Sequence, residues 1–68
     1  MINDLDVATK QQVKAQRLKS LQAQYYDMQL TKAAAAAAGK TREAELAQQR
    51  MDELELAYNA VAAVEVGT

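Results

Sequence analysis

The spacing of apolar residues on either side of one glycine, Gly39, constrains the fold of this chain more than any other feature. The larger apolar side chains recur at alternating steps of three and four residues, which is the spacing of a coiled-coil seam. The first series is Leu18, Leu21, Tyr25 and Met28, and the second is Met51, Leu54, Tyr58 and Val61. If the chain folds back at Gly39, the position numbers of facing residues add up to 79 in each layer. The two series therefore predict an antiparallel hairpin that is closed by these eight seam residues.

The residues around Gly39 agree with a turn at this point. Glycine is the preferred residue just past a helix end, and Thr41 is an acceptable N-cap for a second helix. We predict an all-α, antiparallel two-helix hairpin, with a helix over about 4–38, a turn at Gly39-Lys40 and a helix over about 42–65. Residues 1–68 are expected to form this single unit, without separate domains.

The predicted start of the first helix depends on Asn3 as N-cap. Asp6 would then lie in the first helical turn, and Ile2 and Val7 would occupy the two positions of a hydrophobic staple. The alternative fold is one long continuous helix. The six alanines 33–38 strongly favour a helix, and one glycine inside a helix costs only about 1 kcal/mol.

The amino-acid composition predicts that the chain needs a partner. Half of the 68 residues are hydrophobic, but 15 of them are alanine, so few large side chains remain for a core. A single core of this size supplies about 3–5 kcal/mol, and small chains usually add disulfides, metals or oligomerisation. The chain has neither cysteine nor histidine. We therefore expect packing into an oligomer or a larger assembly.

Four apolar residues away from the seam are the predicted partner interface: Leu5, Tyr26, Leu30 and Leu56. A two-helix hairpin buries one stripe on each helix, so these side chains would face water in a monomer. Exposed apolar side chains that lie together usually mark an interface. We therefore predict protein partners, either a second copy of the chain or a larger assembly.

The charges are nearly balanced overall, with eight basic and nine acidic residues and a net charge of −1. This balance argues against nonspecific binding to nucleic acid or to an anionic membrane surface. Residues 1–32 carry a net charge of +2 and residues 41–68 a net charge of −4, which predicts that the two helices attract each other, within one chain or between subunits. Lys14 and Glu65 would form such an ion pair in the outermost layer.

Motifs for catalysis or cofactor binding are weak in this sequence. Ala34 followed by Gly39-Lys40-Thr41 matches a relaxed phosphate-loop pattern, but the loop needs a preceding strand and wrapping glycines. A helix-ending glycine followed by a capping threonine explains these residues better. The carboxylates at 52–55 have no cleft in which their pKa values could differ. We expect no enzymatic activity, no catalytic residue, no cofactor and no metal.

The leading functional prediction is a non-enzymatic structural or interaction protein that self-associates or docks onto a larger assembly, such as a virion component. The alternatives are a small regulatory nucleic-acid-binding hairpin, and an adaptor or antitoxin that folds on its partner. A secretory signal is not recognisable, because Asp4 and Asp6 stand where a positive segment is required. The longest uncharged run, 56–64, is too short to span a bilayer. The expected location is the cytoplasm or a macromolecular assembly such as a virion.

Overall fold

The computed structural model describes residues 5–66, which form two helices. Helix α1 comprises Val7–Ala37, with 31 residues, and helix α2 comprises Thr41–Ala62, with 22 residues. The helices run antiparallel and pack along their length in a body of 50 × 17 × 14 Å. The predicted two-helix hairpin is therefore confirmed, and the continuous helix is wrong.

Helix α1 begins three residues later than the sequence predicted. Asp6 is its N-cap, and the Asp6 carboxylate accepts a hydrogen bond of 2.7 Å from the backbone N–H of Thr9. This bond satisfies one of the amides that have no partner within the first turn of a helix. The predicted start near residue 4 is wrong, because Leu5 and Asp6 are not helical. Asn3 and Ile2 lie outside the described residues.

The Asp6 cap makes the stability of α1 depend on pH. Hydrogen bonds from the Thr9 side chain and the Thr9 backbone amide lower the pKa of Asp6 below its ordinary value of 3.8. The folded state thus favours the charged form of the Asp6 carboxylate. The stability that this carboxylate contributes is fully present above pH 3.8 and is lost as the pH falls through the lowered pKa.

We expect the melting temperature of the protein to fall relative to Asp6→Asn when the solution is acidified below this range. Asparagine also caps a helix but does not titrate, so the difference between the two proteins should stay constant at higher pH. Thermal melts followed by circular dichroism over this range measure the difference. A difference that does not change on acidification would show that the cap is not formed.

The turn at Gly39 is a Schellman motif, in which the backbone amides after the helix bond back to its last carbonyls. The Lys40 N–H donates to the Ala35 carbonyl at 2.8 Å, and the Gly39 N–H donates to the Ala36 carbonyl at 3.1 Å. Gly39 has a φ of 74°, in the left-handed region where glycine carries no Cβ penalty.

The prediction of Thr41 as N-cap is wrong, because Thr41 is the first helical residue of α2. Lys40 occupies the cap position and makes no side-chain capping bond. Its carbonyl accepts the first helical hydrogen bond, from the Ala44 N–H at 3.0 Å. The Schellman motif therefore brings the chain into α2 within a single residue after Gly39.

The core of the hairpin lies along the predicted seam. Five residues are buried, and three of them, Leu21, Met51 and Leu54, are seam residues. Ala35 and Ala47 are also buried, nearer to the turn, where small side chains let the helices approach closely. The remaining seam residues are half-buried; they are Leu18, Tyr25, Met28, Tyr58 and Val61.

Helix α2 ends at Ala62, three residues before the predicted end, and Lys14 of α1 closes this end of the hairpin. The Lys14 ammonium donates to the carbonyl oxygens of Ala62 at 3.0 Å and Val64 at 2.7 Å. A cation at this position complements the negative end of the helix dipole and satisfies carbonyls that have no helical partner. Among residues 5–66, Lys14 therefore bonds to backbone carbonyls and not to Glu65 as predicted.

Candidate interaction surfaces

The four predicted interface residues are all substantially exposed, but they do not lie on one surface. The exposed fractions are 49% for Leu5, 60% for Tyr26, 52% for Leu30 and 72% for Leu56. Tyr26 and Leu30 belong to α1 and Leu56 to α2, whereas Leu5 precedes α1 and lines a groove at the open end of the hairpin. The sequence pattern grouped Leu5 with Tyr26 and Leu30, and the structure separates them.

Helix α1 carries an apolar face on the side away from α2. Leu30 stands two residues from both Met28 and Lys32, which face α2, so it points about 160° away from each of them. We define the α1 outer face by the exposed residues that share this side at alternating steps of three and four: Ala23, Tyr26, Leu30, Ala33 and Ala37.

Helix α2 has a matching face on its own far side. Leu56 stands two residues from both Leu54 and Tyr58 and therefore points away from α1. Leu46, at 52% exposure, stands two residues from both Ala44 and Gln48, which lie on the side of α1, so it also points outward; Ala60 lies one turn after Leu56. These three residues define the α2 outer face. Because both outer faces point away from the seam, they lie at opposite edges of the hairpin.

A groove between the helices opens beside the middle of the seam and has a volume of about 440 Å³. Its floor is formed by four seam residues, Leu21, Tyr25, Leu54 and Tyr58, and its rim by Gln22, Glu55 and Asn59. The Gln22 amide donates to the Tyr58 hydroxyl at 3.4 Å, across the two helices. We call this the acidic groove, because Glu55 is the charged residue of its rim.

A second groove, of about 610 Å³, lies at the open end of the hairpin. Apolar side chains form most of its lining, namely Leu5, Val13, Val61, Val64 and Val66. Three basic residues, Lys10, Lys14 and Arg17, border it together with Glu65. We call this the basic groove.

The two helices carry opposite net charges. Helix α1 has five basic residues and one acidic residue, a net charge of +4, and α2 has two basic and five acidic residues, a net charge of −3. The ion pairs among residues 5–66 are Lys40–Glu43 at 3.9 Å and Arg50–Glu53 at 3.2 Å. Within this part of the chain, therefore, no basic residue of α1 forms an ion pair with an acidic residue of α2. The predicted attraction between the oppositely charged helices, within one chain or between subunits, is therefore not expressed as ion pairs across the described part of this hairpin.

The residues that resembled a phosphate loop belong to the hairpin turn. Ala34 is inside α1, Gly39 and Lys40 form the Schellman turn, and Thr41 opens α2. In the described part of the chain, no three acidic residues come together as a potential metal site. Between residues 5 and 66, no helix has the length and apolar character needed to cross a membrane.

Two exposed residues that the sequence reasoning missed contribute to these surfaces. Leu46 could have been identified from the sequence, since it stands two residues after Ala44, which lies one heptad before the seam residue Met51, and it therefore points away from the seam. The contribution of Val13 to the basic groove could not be identified from the sequence, because the groove depends on the position of Val64 beyond the end of α2. Comparisons with protein-family models, with curated proteins and with solved structures gave no match for this chain.

Proposed function

We propose that this protein is a non-enzymatic assembly subunit, a helical hairpin that docks onto other helices through its two outer faces. The docking partner is a second copy of the chain or a larger assembly, of which a virion is one example. The exposure of Tyr26, Leu30 and Leu56, opposite the buried seam, is the observation that carries this proposal.

The surface area of the chain supports the same proposal. A compact monomer of this mass, 7.4 kDa, would expose about 4200 Å². The hairpin exposes 5332 Å², and it is a rod with a radius of gyration of 15.9 Å. A stable interface buries about 800 Å² on each partner, an area similar to this excess. Docking of the outer faces would bring the subunit to the burial of an ordinary folded protein.

Light scattering over a range of protein concentrations tests the proposal. The natural chain is expected to exceed the monomer mass as its concentration rises. Replacing Leu30 and Leu56 by glutamine should weaken the association about tenfold or more for each residue, because burying a leucine stabilises an interface by about 1.5–3 kcal/mol. The same double variant should fail to enter complexes isolated from the native source.

Val7→Gln is the matched control, since Val7 is 46% exposed but lies in the first turn of α1, away from both outer faces. It should associate like the natural chain. The proposal would be overturned by a natural chain that stays monomeric with a cooperative melt, and that enters native complexes no better than the double variant.

A further inference from the structure

The acidic and basic grooves open on opposite broad sides of the hairpin. On α1, Gln22 lines the acidic groove and Arg17 borders the basic groove. These positions are five residues apart, which places them about 140° from each other around the helix, with the seam residues Leu18 and Leu21 between them. The two grooves therefore cannot meet within one chain.

The acidic groove belongs to a larger acidic surface on α2, which we call the acidic side. Glu45 and Asp52 are one heptad apart on α2, and Glu55 follows Asp52 by three residues, so the three carboxylates share one side of the helix. All three are exposed. None of them takes part in an ion pair among residues 5–66, and Asp52 accepts a hydrogen bond from the neutral Gln48 amide at 2.9 Å.

The basic groove belongs to a basic surface at the open end of the hairpin, which we call the basic side. Lys10, Lys14 and Arg17 share one side of α1, and the exposed Val13 lies beside them. In the register of the seam, α2 ends opposite residue 17 of α1, so most of the basic side lies beyond α2 and is bordered there by Val64, Glu65 and Val66. It presents an apolar residue flanked by cations, which complements an apolar groove with a carboxylate rim.

We propose that the basic side of α1 docks into the acidic groove of a second copy of this chain. Val13 would rest on the floor formed by Tyr25 and Tyr58, while Arg17 would pair with Glu55. Arginine beside tyrosine rings adds a cation–π attraction to the ion pair. Because each copy uses a different surface, the contact is heterologous, and it extends into an open row if the rotation between copies does not close a ring.

This contact goes beyond the proposed function, because it uses neither outer face and it identifies one partner as the chain itself. Charge sets the choice of partner: two basic sides repel each other, two acidic sides repel each other, and a basic side attracts an acidic one. Exposed ion pairs are screened by salt, so this association should weaken between about 0.05 M and about 0.5 M salt.

Charge reversal tests the pairing directly by sedimentation at low salt. Arg17→Glu and Glu55→Arg are each expected to weaken self-association about tenfold or more. The chain that carries both changes should recover most of the association, since the reversed charges again match. An equal mixture of the two single variants should also associate, because Arg17 of one variant meets Glu55 of the other and the reversed pair matches at the next contact.

Lys19→Glu is the control, since Lys19 is also basic, exposed and on α1 but borders neither groove. It changes the net charge as Arg17→Glu does and should associate like the natural chain. The inference would be overturned if the natural chain were monomeric at low salt, if Lys19→Glu weakened association equally, or if the doubly reversed chain remained monomeric. If glutamine at Leu30 and Leu56 weakened association but the charge reversals at Arg17 and Glu55 did not, the proposed function would hold and this contact would be excluded.

Discussion

Replacing Leu54 by alanine is expected to unfold the hairpin. Leu54 is 3% exposed, the lowest fraction among the five buried residues. A buried leucine-to-alanine change costs about 2–5 kcal/mol, because the apolar contact is lost and a cavity remains. A core of this size provides about 3–5 kcal/mol in total, so the substitution removes most or all of the stability.

Circular dichroism of the purified variant measures this effect as lost helical signal or as a melting transition shifted towards low temperature. Leu56→Ala provides the matched control, since it removes the same atoms from the same helix at a residue that is 72% exposed. At the lowest usable protein concentration, where the signal reports the hairpin itself, the control should melt close to the natural chain. Equal destabilisation by the two substitutions would contradict the seam described above.

Replacing Gly39 by L-alanine is the second change with a large expected effect. The φ of 74° at Gly39 is strained for an L-residue, at a cost of about 1–2 kcal/mol. Apart from Gly39 and its neighbours Ala38 and Lys40, no residue has an atom within 4 Å of the position that a Cβ would take, so the cost comes from the local backbone alone. D-alanine prefers this backbone region and also restricts the unfolded chain, which should stabilise the hairpin by about 0.4–1 kcal/mol.

Chemical synthesis of the 68-residue chain gives access to both enantiomers. The two proteins have identical compositions, so a difference between their chemical denaturation curves isolates the handedness of the turn. We expect L-alanine to be destabilising and D-alanine to be stabilising relative to glycine. Indistinguishable curves for the two enantiomers would show that Gly39 does not hold a left-handed conformation in solution.

The hairpin could be predicted because two independent kinds of information agree at Gly39. The seam series on the two sides align in one register, and glycine is the residue that ends a helix in a left-handed conformation. The helix ends could not be predicted to the residue, because neighbouring candidates compete for each cap. Asn3 and Asp6 are both good N-caps, and the Schellman bonds determined that Thr41 begins α2 instead of preceding it.

The interaction surfaces could be predicted from the sequence less completely than the fold. The outer faces follow from helix periodicity, so Tyr26, Leu30 and Leu56 could be identified without coordinates. The grooves depend on which side of the seam each charged residue takes once the helices have paired. The helix charges illustrate this limit, since opposite net charges on α1 and α2 did not produce ion pairs between them among residues 5–66.

The bonds from Lys14 to the last carbonyls of α2 also protect the alignment of the two helices. A heptad pattern repeats every seven residues, so sliding one helix by two turns past the other would again bring apolar residues into contact. Such a slide would draw the Lys14 ammonium away from the end of α2, where the unpaired carbonyls are. The Schellman turn at Gly39 fixes the same alignment from the opposite end. Contacts at both ends of the hairpin therefore fix the alignment of the two helices, and a sequence with a repeating pattern folds in a single register.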